Sequence, residues 1–214
     1  LTVTGKAALA AMRGEGVSAF EKFLPLYQDL MAFEAERNQR LRHPLYERIA
    51  NKIPINVGIV RAGVWPSTVP ETLVAEGRIG LLPGEDMAAF KREVEHRIAV
   101  AAAYDEWLRQ HPPCLEWFSG QFAPAEVPAD AEICQAIARA HEAVNGSAPS
   151  IEGVTYGADM RLFILFGRIP CVMYGPGDVA VAHQADEHLA IAELLAAAQT
   201  FAVLIAEWCG LAES

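Results

Sequence analysis

The stretch "INVGIVRAGVWPSTVPETLVAEGRIGL", Ile55–Leu81, decides the fold. Its two ends, "INVGIV" and "TLVAEGRIGL", carry the β-branched and apolar residues of strands, and the Gly- and Pro-bearing "RAGVWPSTVP" between them makes a wide connection. On the N-terminal side, "RLRHPLYERIANKIP" is a polar excursion with Pro44 and Pro54 as breakers. Before it, Phe20, Phe23, Leu24, Tyr27, Leu30, Met31 and Phe33 recur at helical spacing and predict a helix from Ser18 to Arg37. "LTVTG" at the start reads as a short strand cut off by Gly5. On the C-terminal side, "GEDMAAFKREVEHRIAVAAA" opens with acids, as a helix N-terminus favours, and "CLEWFSG" (Cys114–Gly120) alternates as a closing strand. The order β-α-β-β-α-β predicts an α+β, ferredoxin-like layout over residues 1–120, with two helices on one face of an antiparallel sheet.

Residues 121–214 follow a different pattern. After the proline-rich "FAPAEVPAD", Asp130 is placed to cap a helix "AEICQAIARAHEAVNG" that ends at Asn145-Gly146 as a left-handed cap would. A strand "SIEGV", a helix "ADMRLFILFG", a strand "IPCVMYG" and a long terminal helix are expected next. Apolar on both faces, "IPCVMY" reads as a central strand with too few strands left to flank it. This predicts an incomplete α/β segment, part of a larger domain.

Apolar residues make up 52% of the 214 and charged residues 21%, an ordinary soluble composition. The most apolar run, Leu189–Gly210, is interrupted by Glu193, Gln199 and Glu207, so it is expected to be a buried amphipathic helix rather than a membrane span. No signal-peptide pattern opens the chain. Cys114, Cys134, Cys171 and Cys209 lack zinc-ribbon spacing and are expected to be buried, reduced thiols in a cytoplasmic protein. The net charge of −10 is concentrated after residue 122, where Arg139, Arg161 and Arg168 face twelve acids. Such a surface cannot neutralise phosphates, so nucleic acid is excluded as an expected partner.

Several segments in order carry a family resemblance: "GKAALA", "EGVSAFEK", "INVGIVRAG", "STVPETLVAEGRIG", "VTYGADMRLF" and "IPCVMYGPGDVAVAHQADEHL". The chain resembles the later part of the co-catalytic zinc amidohydrolases, the group of acetylornithine deacetylase, succinyl-diaminopimelate desuccinylase and carboxypeptidase G. The resemblance implies that residues 1–120 are a lid that forms a homodimer, and that residues 121–214 are the returning end of a catalytic domain. It also implies a two-zinc site in the intact parent enzyme and hydrolysis of the amide of an N-acyl amino acid or similar small substrate.

By the same resemblance His183, on the turn after "GPG", is the last metal ligand. Neutral imidazole suits zinc. The family's remaining ligands lie in a His-x-Asp motif, a Glu-Glu pair and further carboxylates, and this chain has neither motif. Zinc is therefore expected to bind this chain weakly or not at all. The absence of an opening Met also favours a fragment. Asn56 and Ser67 resemble substrate-contacting positions. Arg161 either pairs with a substrate carboxylate, which a guanidinium fork suits, or pairs with Asp159 or another neighbouring acid. Gly157, Gly175 and Gly177 are expected to serve the backbone near the site. His43, His96, His111 and His141 are expected to be solvated, and Trp65, Trp107, Trp117 and Trp208 to pack. Where the family has Gly-x-x-x-His-Ala near the front, the His position is Leu9, which cannot donate a hydrogen bond to a developing oxyanion. The rival readings are a non-catalytic dimerisation module or degenerate relative, and an unrelated ferredoxin-like ligand-binding regulator. The regulator would leave the "GPGD…AH" run unexplained.

Overall fold

The computed structural model describes residues 1–118 and 120–211. Its contacts divide the chain into two compact units, Leu1–Pro124 with Val154–Gly157, and Ala125–Gly153 with the chain from Ala158 onward.

The first unit is a three-stranded antiparallel sheet in the order β1-β3-β2, from β1 (Thr2–Thr4), β2 (Ile55–Ala62) and β3 (Thr72–Ile79). The strand pair in Ile55–Leu81 forms as its composition predicts. Gly58 is the extra residue where the register shifts between Val57 and Ile59, a bulge that bends β2 beside Asn56. Gly77 has to lack a side chain, because a Cβ there would meet the Asn56 carbonyl oxygen at 2.3 Å.

Helix α1 (Ala19–Arg40) starts at Ser18, whose hydroxyl accepts the Glu21 N–H at 3.3 Å. Helix α2 (Met87–Ala103) starts at Asp86, which accepts the Ala89 N–H at 2.6 Å, and α3 (Glu106–Gln110) starts at Asp105. One face of α1 enters the core. Phe23 and Leu26 join Val3, Leu73 and Leu108, while Leu30 and Phe33 join Ile55, Phe90, Val94 and Ile98. A fully buried Leu contributes about 1.5–3 kcal/mol, so these clusters fasten both long helices to the sheet.

The expected fourth strand does not form among the described residues. Cys114 makes one antiparallel bridge to Thr2 (N···O 2.8 and 3.0 Å) at the edge where that strand would lie, and Leu115–Phe118 leave the sheet. Leu115 and Trp117 pack on the helix-side core instead, and the Trp117 indole N–H bonds Glu95. Ser119 of the expected strand lies outside the described residues.

The second unit contains α4 (Glu132–Asn145), a single helical turn α5 (Met160–Leu162) continued by a π-turn at Phe163–Gly167, and α6 (Ile191–Cys209). The left-handed cap at Gly146 is as expected (φ 74°), but Ala131 rather than Asp130 occupies the N-cap, with no side-chain bond. "SIEGV" and "IPCVMYG" are not strands. An extended segment becomes a strand only when a neighbour takes its N–H and C=O groups, and among the described residues this unit has no strand to do so.

α6 also differs from expectation. Only Ala197 and Thr200 are buried, while Ile191, Leu194, Leu195, Phe201, Ile205 and Trp208 are exposed. Its 19 residues, at mean hydropathy 1.5, are long and apolar enough to cross a bilayer by length and composition. Its packed stripe faces α4, where Cys134, Ile137 and Ala140 are buried.

Candidate functional site

In the first unit the chain zips Ala8–Ala10 against Ser67–Val69. The Ala10 N–H donates to the Ser67 carbonyl at 2.8 Å, the Val69 N–H donates to the Ala8 carbonyl at 2.8 Å, and Leu9 bridges Thr68. Leu9 and Ser67 are therefore neighbours on the surface, with Leu9 61% exposed. Asn56 is exposed at the other end of β2, opposite Arg78. About 20 Å of strand separates it from the loop that carries Ser67. The structure thus pairs Leu9 with Ser67 and does not bring Asn56 to them. Trp65 and Trp208 are half or more exposed, against the expectation that they pack; Trp107 and Trp117 lie partly buried against the core.

One exposed flank of α1 is also apolar. Phe20, Leu24 and Tyr27 are exposed at helical spacing beside the buried stripe, with the Tyr27 ring 5.9 Å from that of Phe23. Phe20 and Ala62 line one open groove of about 470 Å³ with Pro70 and Thr68, so this stripe begins beside the end of β2. Among the described residues β2 is an edge strand, paired on one side only. An exposed apolar helix face beside an unpaired strand edge is a surface suited to a symmetric partner.

In the second unit His183 lies on the loop Tyr174–His188. Its backbone is left-handed (φ 64°) and its side chain is exposed. The loop is held by local bonds. Asp178 accepts the Ala180 N–H at 2.8 Å, and Gln184 Nε2 donates to the Ala180 carbonyl at 2.6 Å. Arg161 lies half-buried on α5. Gly177 has a positive φ of 96°, which justifies glycine there.

Sequence reasoning missed a polar chain in this unit. Tyr174 donates to Thr200 Oγ1 at 3.2 Å, Thr200 donates to the Ala196 carbonyl at 2.9 Å, and Tyr174 Oη lies 2.8 Å from His141 Nδ1. The Asn145 side-chain amide also approaches His141 Nδ1, at 3.3 Å. His141 is thus part of the packing between α4 and α6 rather than solvated. The signal was Thr200, the one hydroxyl in the apolar run of α6, which needs a partner once buried.

The donor set does not fit a zinc centre. Among the described residues no three His, Cys, Asp or Glu side chains converge, and zinc generally takes at least three protein ligands. His183 alone supplies one.

Residues 1–106 match the peptidase dimerisation domain of the M20 type. Over 207 residues the chain is 28% identical to N-formyl-4-amino-5-aminomethyl-2-methylpyrimidine deformylase of Halalkalibacterium halodurans, a match covering 92% of this chain and 47% of that protein. It is 27% identical over 164 residues to acetylornithine deacetylase of Myxococcus xanthus, covering 73% of this chain and 38% of the relative. The chain thus spans less than half the length of these curated relatives. Aminopeptidase PepT of Bacillus cereus superposes with a TM-score of 0.62 at 19% identity, over 97% of this chain and 50% of that one, a likeness of fold.

Proposed function

Residues 1–106 of this chain belong to the M20 peptidase dimerisation-domain family, and from that premise we propose that the chain serves as the lid and closing segment of a dimeric M20 hydrolase. Residues 1–120 pair two copies, and residues 121–214 form the C-terminal part of the catalytic domain. The observation that carries this reading is the exposed Phe20–Leu24–Tyr27 stripe beside the free edge of β2, within the part of the chain that matches a dimerisation domain. The names of the relatives, a deformylase and a deacetylase, support an N-acylated small molecule as substrate class and cleavage of its amide as the reaction. Asn56, Ser67 and Arg161 are the proposed substrate contacts, and His183 the proposed contribution to a metal centre.

In such a centre the metal supplies Lewis acidity and an acidified water. This chain's own donors do not make that centre. What the residues present can do is bind and orient. A guanidinium at Arg161 suits a carboxylate, and the Asn56 amide and Ser67 hydroxyl offer neutral hydrogen bonds. Leu9, exposed and without a donor, favours a second reading: a lid whose work is assembly alone.

Assaying the purified chain with added zinc on N-acetylornithine and on an N-formyl amine tests the proposal. No turnover is expected, because one donor does not hold a catalytic zinc. Turnover that a chelator abolishes would overturn it.

A further inference from the structure

We propose that Glu193 and Glu187 are positioning residues that clamp the loop Tyr174–His183, Glu193 of α6 at Gly177 and Glu187 at His183, and so fix the backbone that presents His183. The inference rests on the reading of His183 as a functional donor, and it concerns how the chain presents that residue.

No strand pairs with this loop among the described residues, yet two of its residues, Gly177 and His183, have positive φ, 96° and 64°. For a residue with a side chain the left-handed region is unfavourable by roughly 1–2 kcal/mol, so His183 keeps it only where the surroundings hold it. The N–H groups that are held are those of the same two residues. Gly177 N–H donates to Glu193 Oε2 at 3.0 Å, and His183 N–H donates to Glu187 Oε2 at 3.1 Å. An ionised acceptor makes such a bond roughly twice as strong as a neutral one.

A third anchor comes from the start of the loop. Tyr174 donates to Thr200, which is fully buried on α6. Glu193 and Thr200 stand two helical turns apart on one face of α6, with the buried Ala197 between them. The same face therefore takes the loop at Tyr174 and at Gly177. From Gly177 the chain runs through the turn capped by Asp178 to His183, where Glu187 closes it. Each carboxylate is spent on a backbone N–H, which gives both acids a role without contact to substrate or metal.

Amide–water exchange measured by NMR on the full chain tests the clamp. Glu187→Ala is expected to speed exchange of the His183 amide about tenfold, the factor carried by one charge-assisted bond of about 1.4 kcal/mol, and to leave Gly177 unchanged. Glu193→Ala is expected to do the reverse. Glu187→Gln and Glu193→Gln keep a carbonyl acceptor and should restore each amide to within about threefold of the parent. In the double alanine variant the His183 ring signals should split or broaden while the amides of α4 and α6 hold. The clamp is overturned if either alanine variant leaves its own amide unchanged, if glutamine does not rescue, or if exchange rises evenly through α4 and α6. These readouts need no metal, so they stay separate from the ligand reading. That reading fails instead if His183→Ala, placed in a complete M20 enzyme carrying this segment, leaves the metal content unchanged.

Discussion

Arg37 is fully buried, and its Nη2 donates to both carboxylate oxygens of Glu85, at 2.7 and 2.8 Å. The same guanidinium bonds the Gly80 carbonyl through Nη1 at 2.9 Å and lies 4.2 Å from the Phe90 ring centre. Glu85 also accepts the Leu82 N–H at 2.7 Å. This pair fastens the end of α1 to the start of α2 and so sets the pose of the exposed α1 stripe. Glu85→Ala leaves a buried cation without its counter-ion and is expected to lower unfolding free energy by about 3–5 kcal/mol. Arg37→Met, which removes the cation and keeps an apolar stem, is expected to cost clearly less. Urea unfolding of the two variants measures the difference.

A second prediction concerns acid. Burial pushes the Asp105 carboxyl up, but the Lys22 ammonium at 2.6 Å and the Leu108 N–H at 2.9 Å outweigh it and hold the carboxyl below its ordinary value. A carboxyl depressed in the folded state stabilises while ionised, so its contribution is present above the unfolded pKa and is lost as pH falls through the folded one. Asp105→Ala should lower stability by about 1–2 kcal/mol at neutral pH, and the difference from the parent should shrink below about pH 4. Thermal melts across that range read the convergence.

Thiol reactivity separates the cysteines. Cys134 is buried, and burial, with the nearby Asp130 carboxylate, pushes its thiol up, while Cys114 and Cys209 are exposed. Because the thiolate is the nucleophile, Cys114 and Cys209 should be alkylated first and Cys134 last, after unfolding. Peptide mapping of a timed iodoacetamide reaction shows the order. The expectation that the thiols are buried thus holds for Cys134 and fails for those two.

Legibility followed the reach of the contacts. The helical period around Phe23–Phe33, the acid-led start of the second helix and the strand pair in Ile55–Leu81 are local signals, and each forms. "CLEWFSG" and "IPCVMY" alternate or run apolar like strands, but a strand also needs a neighbour in register. One has a single bridge at Cys114, and the other has no strand partner among the described residues. The exposed side of α6 departs from expectation for a related reason, since an apolar composition does not say which face meets protein. In the site, the positive φ at Gly177 is the kind of turn that "GPG" signals, whereas the left-handed backbone at His183 and the carboxylate bonds from Glu187 and Glu193 depend on how the loop folds back on itself and on α6.

The most direct test of the proposed assembly is the mass of the full chain in solution by light scattering, beside that of the double variant Phe20→Glu/Leu24→Glu. These two residues lie on the exposed face of α1, outside both core clusters. Two like charges placed at a desolvated symmetric contact disfavour it by several kcal/mol. The parent is expected to run at twice the mass of the 23.2 kDa chain and the variant at the single mass, with unchanged helix content. A parent that is monomeric at tens of micromolar, or a variant that keeps the doubled mass, contradicts dimerisation through α1 and β2.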